Sequence, residues 1–195
     1  MLQDKLKDYK IILASSSPRR KRFFEEMGLD FEIQLKPVEE VYPSTLKSKE
    51  ISDYLAELKA SVFRENLNSK EILITSDTVV WHNNESLAKA STHNEAFEML
   101  KKLSDDWHHV ITSVCFTTIN GQQTLNHRTD VKFRALSDDE INYYVKNYKP
   151  FDKAGAYGIQ EWIGLVGIEE IKGAYTNVVG LPTQLVYKTL MDMVS

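Results

Sequence analysis

Two arginines follow a short apolar run, at a point where a strand would meet the start of a helix. The segment SSSPRR covers residues 15–20 and comes directly after IILA. Ser17 is suited to cap the helix, and Pro18 to occupy its first position. Free backbone N–H groups and the helix dipole attract anions there, so a bound phosphate would offset the unfavourable placing of Arg19 and Arg20 in the first turn. A capped surface helix with solvated arginines is the alternative.

An acidic residue interrupts the longest β-branched run of the chain. Asp77 lies within ILITSDTVVW, although aspartate has a low preference for strands. Burial of a carboxylate is costly unless the group is paired, hydrogen-bonded or bound to a metal. Two interpretations follow: a structural ion pair, or a catalytic carboxylate that binds metal or activates water.

Charged residues near these two segments extend the candidate chemistry. Lys59 follows the apolar face of a predicted helix, and Lys89 lies in the turn LAKAS after the Asp77 strand. Each can hold a triphosphate as a point charge. Glu39 and Glu40 supply the oxygen ligands that a divalent cation prefers. Ordinary solvated side chains are the alternative for all four residues.

The segment FDKAGAYGIQ, residues 151–160, carries two closely spaced glycines. Gly155 and Gly158 permit close backbone approach to a ligand. Gln160 offers both a donor and an acceptor, which suits recognition of a nucleobase edge. Asp152 and Lys153 either pair with each other or face the site. The segment matches neither the GxGxxG nor the GxxxxGK[ST] phosphate loop.

The elements that must position these residues alternate between strands and helices. Apolar or β-branched runs predict strands at IILAS, FEIQL, EILITSDTVVW and IGLVGIEEI, and Asn120-Gly121 predicts the turn of an antiparallel hairpin. Capping boxes begin helices at Thr92 with Glu95 and at Ser137 with Glu140. Helices are also predicted over 18–27, 49–65 and from Asn177 onwards. This pattern indicates an α/β fold with a mixed sheet.

We predict one domain over residues 1–195, with residues 1–10 as a polar lead-in and two lobes around a central cleft. The net charge of −4 argues against nucleic-acid binding, which needs a basic surface. No apolar run is long enough for a membrane helix, and the start lacks the features of a signal peptide. Cys115 is the only cysteine and is predicted to be a buried, inert thiol. A cytoplasmic protein is expected. The exposed edge of the hairpin makes a homodimer possible.

These segments, taken in order, resemble the Maf family of nucleotide pyrophosphatases. The resemblance runs from Ile11 to about Leu190 and includes ILASSSPRR, the FE strand with Glu39-Glu40, LAELKA, SDTVV, VKFRALSD, PFDKAGAYGIQ and NVVGLP. It implies a mixed, twisted sheet with flanking helices, and hydrolysis of a nucleoside triphosphate to the monophosphate and pyrophosphate.

The resemblance also implies roles for individual residues. Asp77 corresponds to the catalytic proton acceptor. Residues corresponding to the phosphate-binding groups are Ser15, Arg20, Lys59 and Lys89. Those associated with substrate choice are Arg19, Thr78 and Gln160, and their identities resemble the subgroup that acts on dTTP and UTP. Three positions depart from the family's pattern, with Ala90, Glu161 and Ala174 in place of proline, glycine and serine.

A divalent cation, Mg²⁺ or Mn²⁺, is expected to bridge the phosphates to Asp77 and Glu40. The substrate is a normal or a modified pyrimidine nucleotide. Two other functions remain open: a regulatory module that binds a nucleotide without turnover, and a phosphatase that releases one phosphate at a time.

Overall fold

The computed structural model describes residues 1–194 as helices and strands in alternation. The helices are α1 Leu2–Leu6, α2 Pro18–Glu26, α3 Lys49–Ser61, α4 His93–Leu103, α5 Asp138–Tyr148, α6 Trp162–Gly167, α7 Tyr175–Val179 and α8 Thr183–Met193, with a 3₁₀ turn at Arg64–Asn66. The strands are β1 Lys10–Leu13, β2 Phe31–Ile33, β3 Glu71–His82, β4 Glu85–Leu87, β5 Trp107–Thr118, β6 Gly121–Phe133 and β7 Ile168–Lys172.

The seven strands form one mixed sheet in the order β2-β1-β3-β5-β6-β7, with β4 paired to β3 outside this path. Strand β1 runs parallel to both β2 and β3, with Leu13 opposite Ile33 and Ile74. Strand β7 runs antiparallel to β6, and β4 antiparallel to β3. The predicted α/β class with a mixed sheet is therefore confirmed.

The chain divides into two compact units. The first contains residues 1–77, 112–127 and 180–194, and the second contains residues 78–111 and 128–179. Strand β3 changes unit between Asp77 and Thr78.

Strands β1 and β3 are buried on both faces, which explains their continuous apolar runs. Because side chains alternate along a strand, Ile11 and Leu13 pack with α1, α2 and α8, whereas Ile12 packs with α3. Cys115 lies in the cluster under α3 and is fully buried, as predicted.

In the second unit, α4 packs against α5, and the turns between elements follow the sequence patterns. The Ser137 hydroxyl accepts from the Glu140 N–H while Glu140 accepts from the Ser137 N–H, so the predicted capping box is present. The Thr92 hydroxyl caps α4 by accepting from the Glu95 N–H, but the Glu95 carboxylate accepts from the Ser91 N–H instead of completing the box.

Two predicted segments differ in the structure. Residues 162–167 form α6 rather than the start of a strand, so that only Ile168–Lys172 is extended. The polar lead-in contains α1, whose Leu2 and Leu6 are buried in the core of the first unit. Leu2 and Leu6 lie four residues apart, so they fall on the same face of the helix.

No helix among residues 1–194 is long and apolar enough to cross a membrane. Strand β7 pairs with β6 between Asp130 and Phe133. A homodimer formed through the hairpin edge stays a prediction.

Candidate active site

The buried acid of β3 meets a lysine of α3. Thr75 and Asp77 are both even-numbered steps from Leu73, so all three side chains point to the face that α3 covers. The Thr75 hydroxyl donates to the Ala56 carbonyl at 2.6 Å, and one helical turn later Lys59 Nζ lies 2.7 Å from Asp77 Oδ1. The carboxylate in the strand is therefore paired, as its burial requires.

A second carboxylate completes this group. Glu40 Oε2 lies 3.1 Å from Lys59 Nζ, so one ammonium bridges two acids. Glu40 is exposed, whereas Asp77 is buried. Burial raises the pKa of Asp77 above its ordinary value, and the charges of Lys59 and Arg20 oppose that rise. A carboxylate with a raised pKa is a better proton acceptor than an exposed aspartate.

The turn between β1 and α2 is built from its own hydroxyls. The Ser17 hydroxyl caps α2 by accepting from the Arg20 N–H, and the Ser15 hydroxyl accepts from the Ser17 N–H at 3.2 Å. Ser15 is buried, and Arg20 Nη1 also reaches its hydroxyl at 3.5 Å. The turn is therefore held by hydrogen bonds between its own residues.

The guanidinium of Arg20 connects this turn to two other segments of the first unit. Its Nη1 donates to the Ser76 carbonyl at 2.8 Å, and its Nε donates to the Gly180 carbonyl at 2.9 Å. Burial lowers the pKa of Arg20, although the charge of Asp77 opposes this effect. The phosphate contact that the sequence predicted for Arg20 stays a prediction. The structure shows that Arg20 holds the backbone immediately before Asp77.

The second unit places Lys89 beside the glycine loop, residues 151–160. Lys89 forms an antiparallel bridge with Ala154, and the Gly155 N–H donates to the Leu87 carbonyl at 2.8 Å. Gly155 has φ +68°, and a Cβ there would lie 3.0 Å from Val80 Cγ1, so glycine is required. The Lys89 side chain is exposed.

The three residues for which the family resemblance predicts a role in substrate choice lie on different elements. Arg19 is in the first turn of α2, Thr78 follows Asp77 in β3, and Gln160 ends the glycine loop. Arg19 and Thr78 are half-buried and Gln160 is exposed. Arg19 belongs to the first unit and the other two residues to the second.

Sequence reasoning missed the buried network behind Gln160. The Tyr144 hydroxyl donates to Glu161 Oε2, and Lys153 Nζ lies 3.0 Å from Glu161 Oε1 and 2.8 Å from Asp152 Oδ1. Asp152 and Lys153 therefore pair with each other, one of the two predicted alternatives. The spacing of Ile141, Tyr144 and Val145 marked the buried face of α5, but it did not indicate what the tyrosine hydroxyl bonds.

The oxygen donors of the first unit suit a divalent cation. Asp77 and Glu40 both reach the same ammonium, so their oxygens lie around one position that a cation can share. Mg²⁺ commonly binds one or two carboxylates and completes its shell with water and substrate phosphates. Within residues 1–194, no cluster of three or more His, Cys, Asp or Glu side chains is placed to hold a metal ion. A cation here would therefore need phosphate oxygens or water as further ligands.

Together, the parallel strands and the carboxylate, lysine and arginine beside them define an α/β protein with a charged candidate site in its first unit. The family model described as Maf-like protein matches residues 10–193, so the chain belongs to the Maf family.

Curated relatives match over nearly their whole length. One from Flavobacterium psychrophilum, named dTTP/UTP pyrophosphatase, is 58% identical and covers 98% of each chain. A relative of the same name from Flavobacterium johnsoniae is 56% identical and covers 100% of each chain. The solved structure of the Staphylococcus aureus Ham1 protein aligns with a TM-score of 0.56 at 16% identity, covering 94% of this chain and 99% of that one. That likeness concerns the fold alone.

Proposed function

We propose that this chain hydrolyses dTTP and UTP to the monophosphate and pyrophosphate. The observation that carries the proposal is the buried Asp77 carboxylate, held at 2.7 Å by Lys59 and attached to backbone that Arg20 fixes. A structural ion pair alone does not account for a second acid on the same lysine or for the ordered cationic turn. The names of the relatives supply the substrate class.

In the proposed reaction, Asp77 accepts a proton from water as the water oxygen bonds to the α-phosphorus. The bond between the α-phosphorus and the bridging oxygen breaks, and that oxygen leaves on pyrophosphate. Lys59 orients Asp77 and opposes the rise in its pKa that burial causes, because the ammonium favours the charged carboxylate. Positioning and charge stabilisation account for most of the barrier lowering in such reactions.

Asp77 and Glu40 are the proposed ligands of Mg²⁺ or Mn²⁺. When bound, the cation would neutralise phosphate charge and polarise the phosphoryl oxygens. These two carboxylates are too few to complete a coordination shell, and Lys59 lies against both, so a cation would need phosphate oxygens or water as further ligands. Metal binding is therefore expected to be much stronger with a nucleotide present.

The remaining residues are proposed to hold the two ends of the substrate. Ser15, Arg20 and Lys89 would contact phosphate oxygens, with the backbone N–H groups at the start of α2 contributing to the same charge. Arg19, Thr78 and Gln160 would select the base. A Gln160→Glu chain is expected to change the ratio of UTP to GTP turnover, because a carboxylate only accepts hydrogen bonds.

The test is product analysis across a nucleotide panel with Mg²⁺ or Mn²⁺. The wild-type chain should release pyrophosphate from dTTP and UTP, and from a 5-substituted UTP if modified pyrimidines are substrates. Asp77→Asn should lose at least about 10²-fold in kcat, the contribution of one general base. Asp53→Asn is the matched control, because Asp53 is a half-buried acid of the same unit that bonds Ser113 and Asn126.

Other outcomes identify the competing functions. Tight nucleotide binding without any turnover would indicate a regulatory module. Diphosphate with orthophosphate as products would indicate a stepwise phosphatase. Near-normal turnover by Asp77→Asn would remove Asp77 from the mechanism.

The cytoplasm is the proposed site of action, because nucleoside triphosphates are made and used there. A homodimer is the proposed assembly, and sedimentation at assay concentration tests it.

A further inference from the structure

Glu161, the residue after Gln160, makes side-chain contacts that helix capping does not explain. Glu161 is the cap residue of α6, yet its carboxylate bonds none of the helix's free N–H groups. One carboxylate oxygen accepts from the Tyr144 hydroxyl, and the other pairs with Lys153 at 3.0 Å. Helix capping is therefore not the role of this side chain.

Both partners of Glu161 are withdrawn from water. Tyr144 is fully buried and Lys153 is 9% exposed. A buried polar group that loses its hydrogen-bond partner destabilises the fold, and a charged group does so more strongly. Burial, with the Glu161 charge adding to it, raises the pKa of Tyr144 far above its ordinary value, so the hydroxyl remains a proton donor.

Tyr144 and Glu161 also fix the backbone that precedes Gln160. The Gly158 N–H donates to the Tyr144 hydroxyl at 3.0 Å, and the Glu161 N–H donates to the Gly158 carbonyl at 3.0 Å. A Cβ on Gly158 would lie 2.8 Å from the Glu161 carboxyl carbon. Gly158, Tyr144 and Glu161 thus each contact the other two.

Helix α6, which follows Gln160 in the chain, also constrains this backbone. A Cβ on Gly164 of α6 would lie 1.8 Å from the Ile159 carbonyl oxygen, so the helix backbone rests directly on the residue before Gln160. The exposed side chain of Gln160 therefore projects from backbone that is held on both sides.

We infer that Glu161 is a positioning residue for base selection, acting through Tyr144, Lys153 and Gly158 on the backbone that carries Gln160. The inference rests on the proposed function, in which Gln160 contacts the base. It also gives a physical reason for glutamate at a position where the family pattern has glycine.

The experiment compares Glu161→Gln and Tyr144→Phe with the wild-type chain. Glu161→Gln keeps the size and an acceptor but loses the charge that pairs with Lys153. Tyr144→Phe removes the hydroxyl that joins Glu161 to Gly158. Tyr143→Phe is the matched control, because this neighbouring tyrosine is 49% exposed and only its ring contacts Trp162.

The expected result is a rise in KM for UTP with kcat retained, and a fall of about tenfold in the ratio of UTP to GTP specificity constants. Tyr143→Phe should match the wild-type chain in both. A double-mutant cycle with Gln160→Ala tests the route of the effect. The Glu161→Gln change should add nothing to the ratio once Gln160 is gone.

An effect of Glu161→Gln that persists in full beside Gln160→Ala overturns the inference, as does an unchanged ratio in both single variants. Affinities for non-hydrolysable UTP and GTP analogues, measured by calorimetry, give the same ratio without turnover. A wild-type chain that binds UTP but releases no pyrophosphate would refute the proposed hydrolysis, while these affinities would still decide the role of Glu161.

Discussion

Arg20 has a structural role that the contacts show, and a role in phosphate binding that we propose. Its guanidinium donates to the Ser76 and Gly180 carbonyls, which belong to β3 and to the turn before α8. Gly180 has φ +125°, a conformation that glycine adopts without strain. The carbonyl it presents helps to fix the arginine, and the arginine in turn fixes the strand backbone beside the acid.

Arg20→Lys should therefore impair more than phosphate binding. A single ammonium cannot reproduce the planar fork that meets two carbonyls. We expect unfolding free energy to fall by about 1.5–3 kcal/mol, the scale of one hydrogen bond to a charged group. Urea unfolding and steady-state kinetics with UTP measure the effect, and both kcat and KM should worsen.

The control for this variant is Arg22→Lys on the same helix, where an exposed arginine pairs with Glu26 at 2.8 Å. It should leave all three quantities unchanged. A rise in KM alone for Arg20→Lys would mean that the carbonyl contacts have no bearing on Asp77.

Helices in this fold are stabilised by capping residues next to them in the sequence and by charged side chains near their ends. The capping box of α5 shows both, because Glu140 accepts from the Ser137 N–H and pairs with Arg134 at 2.7 Å. The Arg134 guanidinium, followed by the backbone bond from Ser137, lowers the pKa of Glu140 to about 2. The folded chain therefore binds this proton less readily than the unfolded chain.

The stabilisation by Glu140 should accordingly be present at pH values above about 4.5 and lost as pH falls towards 2. We expect Glu140→Gln to lower the unfolding free energy at pH 7 by about 1 kcal/mol, since the ion pair is partly exposed. The difference should vanish below pH 2. Asp139→Asn, which removes the same charge from the same turn, is the control in pH-dependent denaturation and should show a smaller difference at pH 7.

Most elements were predictable because their signals are local. Periodic apolar residues, capping hydroxyls and Asn120-Gly121 identified β1, α2, β3, α5 and the central hairpin. The helix α6 was not predicted, because Ile163, Leu165 and Val166 read as a strand. Its helical form depends on Gly164 fitting against the Ile159 carbonyl, a contact that spacing alone cannot reveal.

Part of the candidate site was also predictable from local signals, whereas contacts that form only on folding were not. Asp77 stood out in the sequence because an acid in an apolar strand needs a partner, and α3 supplies Lys59. The Ser76 and Gly180 carbonyls are backbone atoms and leave no side-chain signal. Glu161 was recognised only as a departure from the family pattern, since its partners Tyr144 and Lys153 come together through folding.

At the scale of the whole molecule, a buried histidine should determine how the free energy of unfolding changes as pH falls. His108 is fully buried, with its ring beside Phe133 and Tyr157 and its Nε2 at 2.6 Å from the Tyr157 hydroxyl. Burial, followed by the charges of His82 and His109, lowers the pKa of His108 to about 3 from 6.5. Between these values the unfolded chain binds a proton that the folded chain does not.

Stability should therefore decline as pH falls from about 6.5 towards 3. His108→Gln is expected to flatten this decline, even though repacking lowers stability at neutral pH. His109→Gln is the control, because its half-exposed ring pairs with Asp130 at 2.9 Å on the neighbouring strand. The test is the free energy of unfolding measured from pH 7 to pH 4. Equal slopes of this free energy against pH for His108→Gln and the wild-type chain would contradict a role for His108 in the decline.

The first unit is assembled from three separate stretches of chain, and Val186 and Leu190 of α8 share a core with Leu2, Leu6 and Ile11. On the ribosome, these late residues are added only after the whole second unit has been made. At roughly 5–20 residues per second, the early strands wait several seconds for their covering helix. Until α8 can pack, the nascent chain leaves part of this core uncovered, so chaperones that bind apolar surface are expected to associate with it during synthesis.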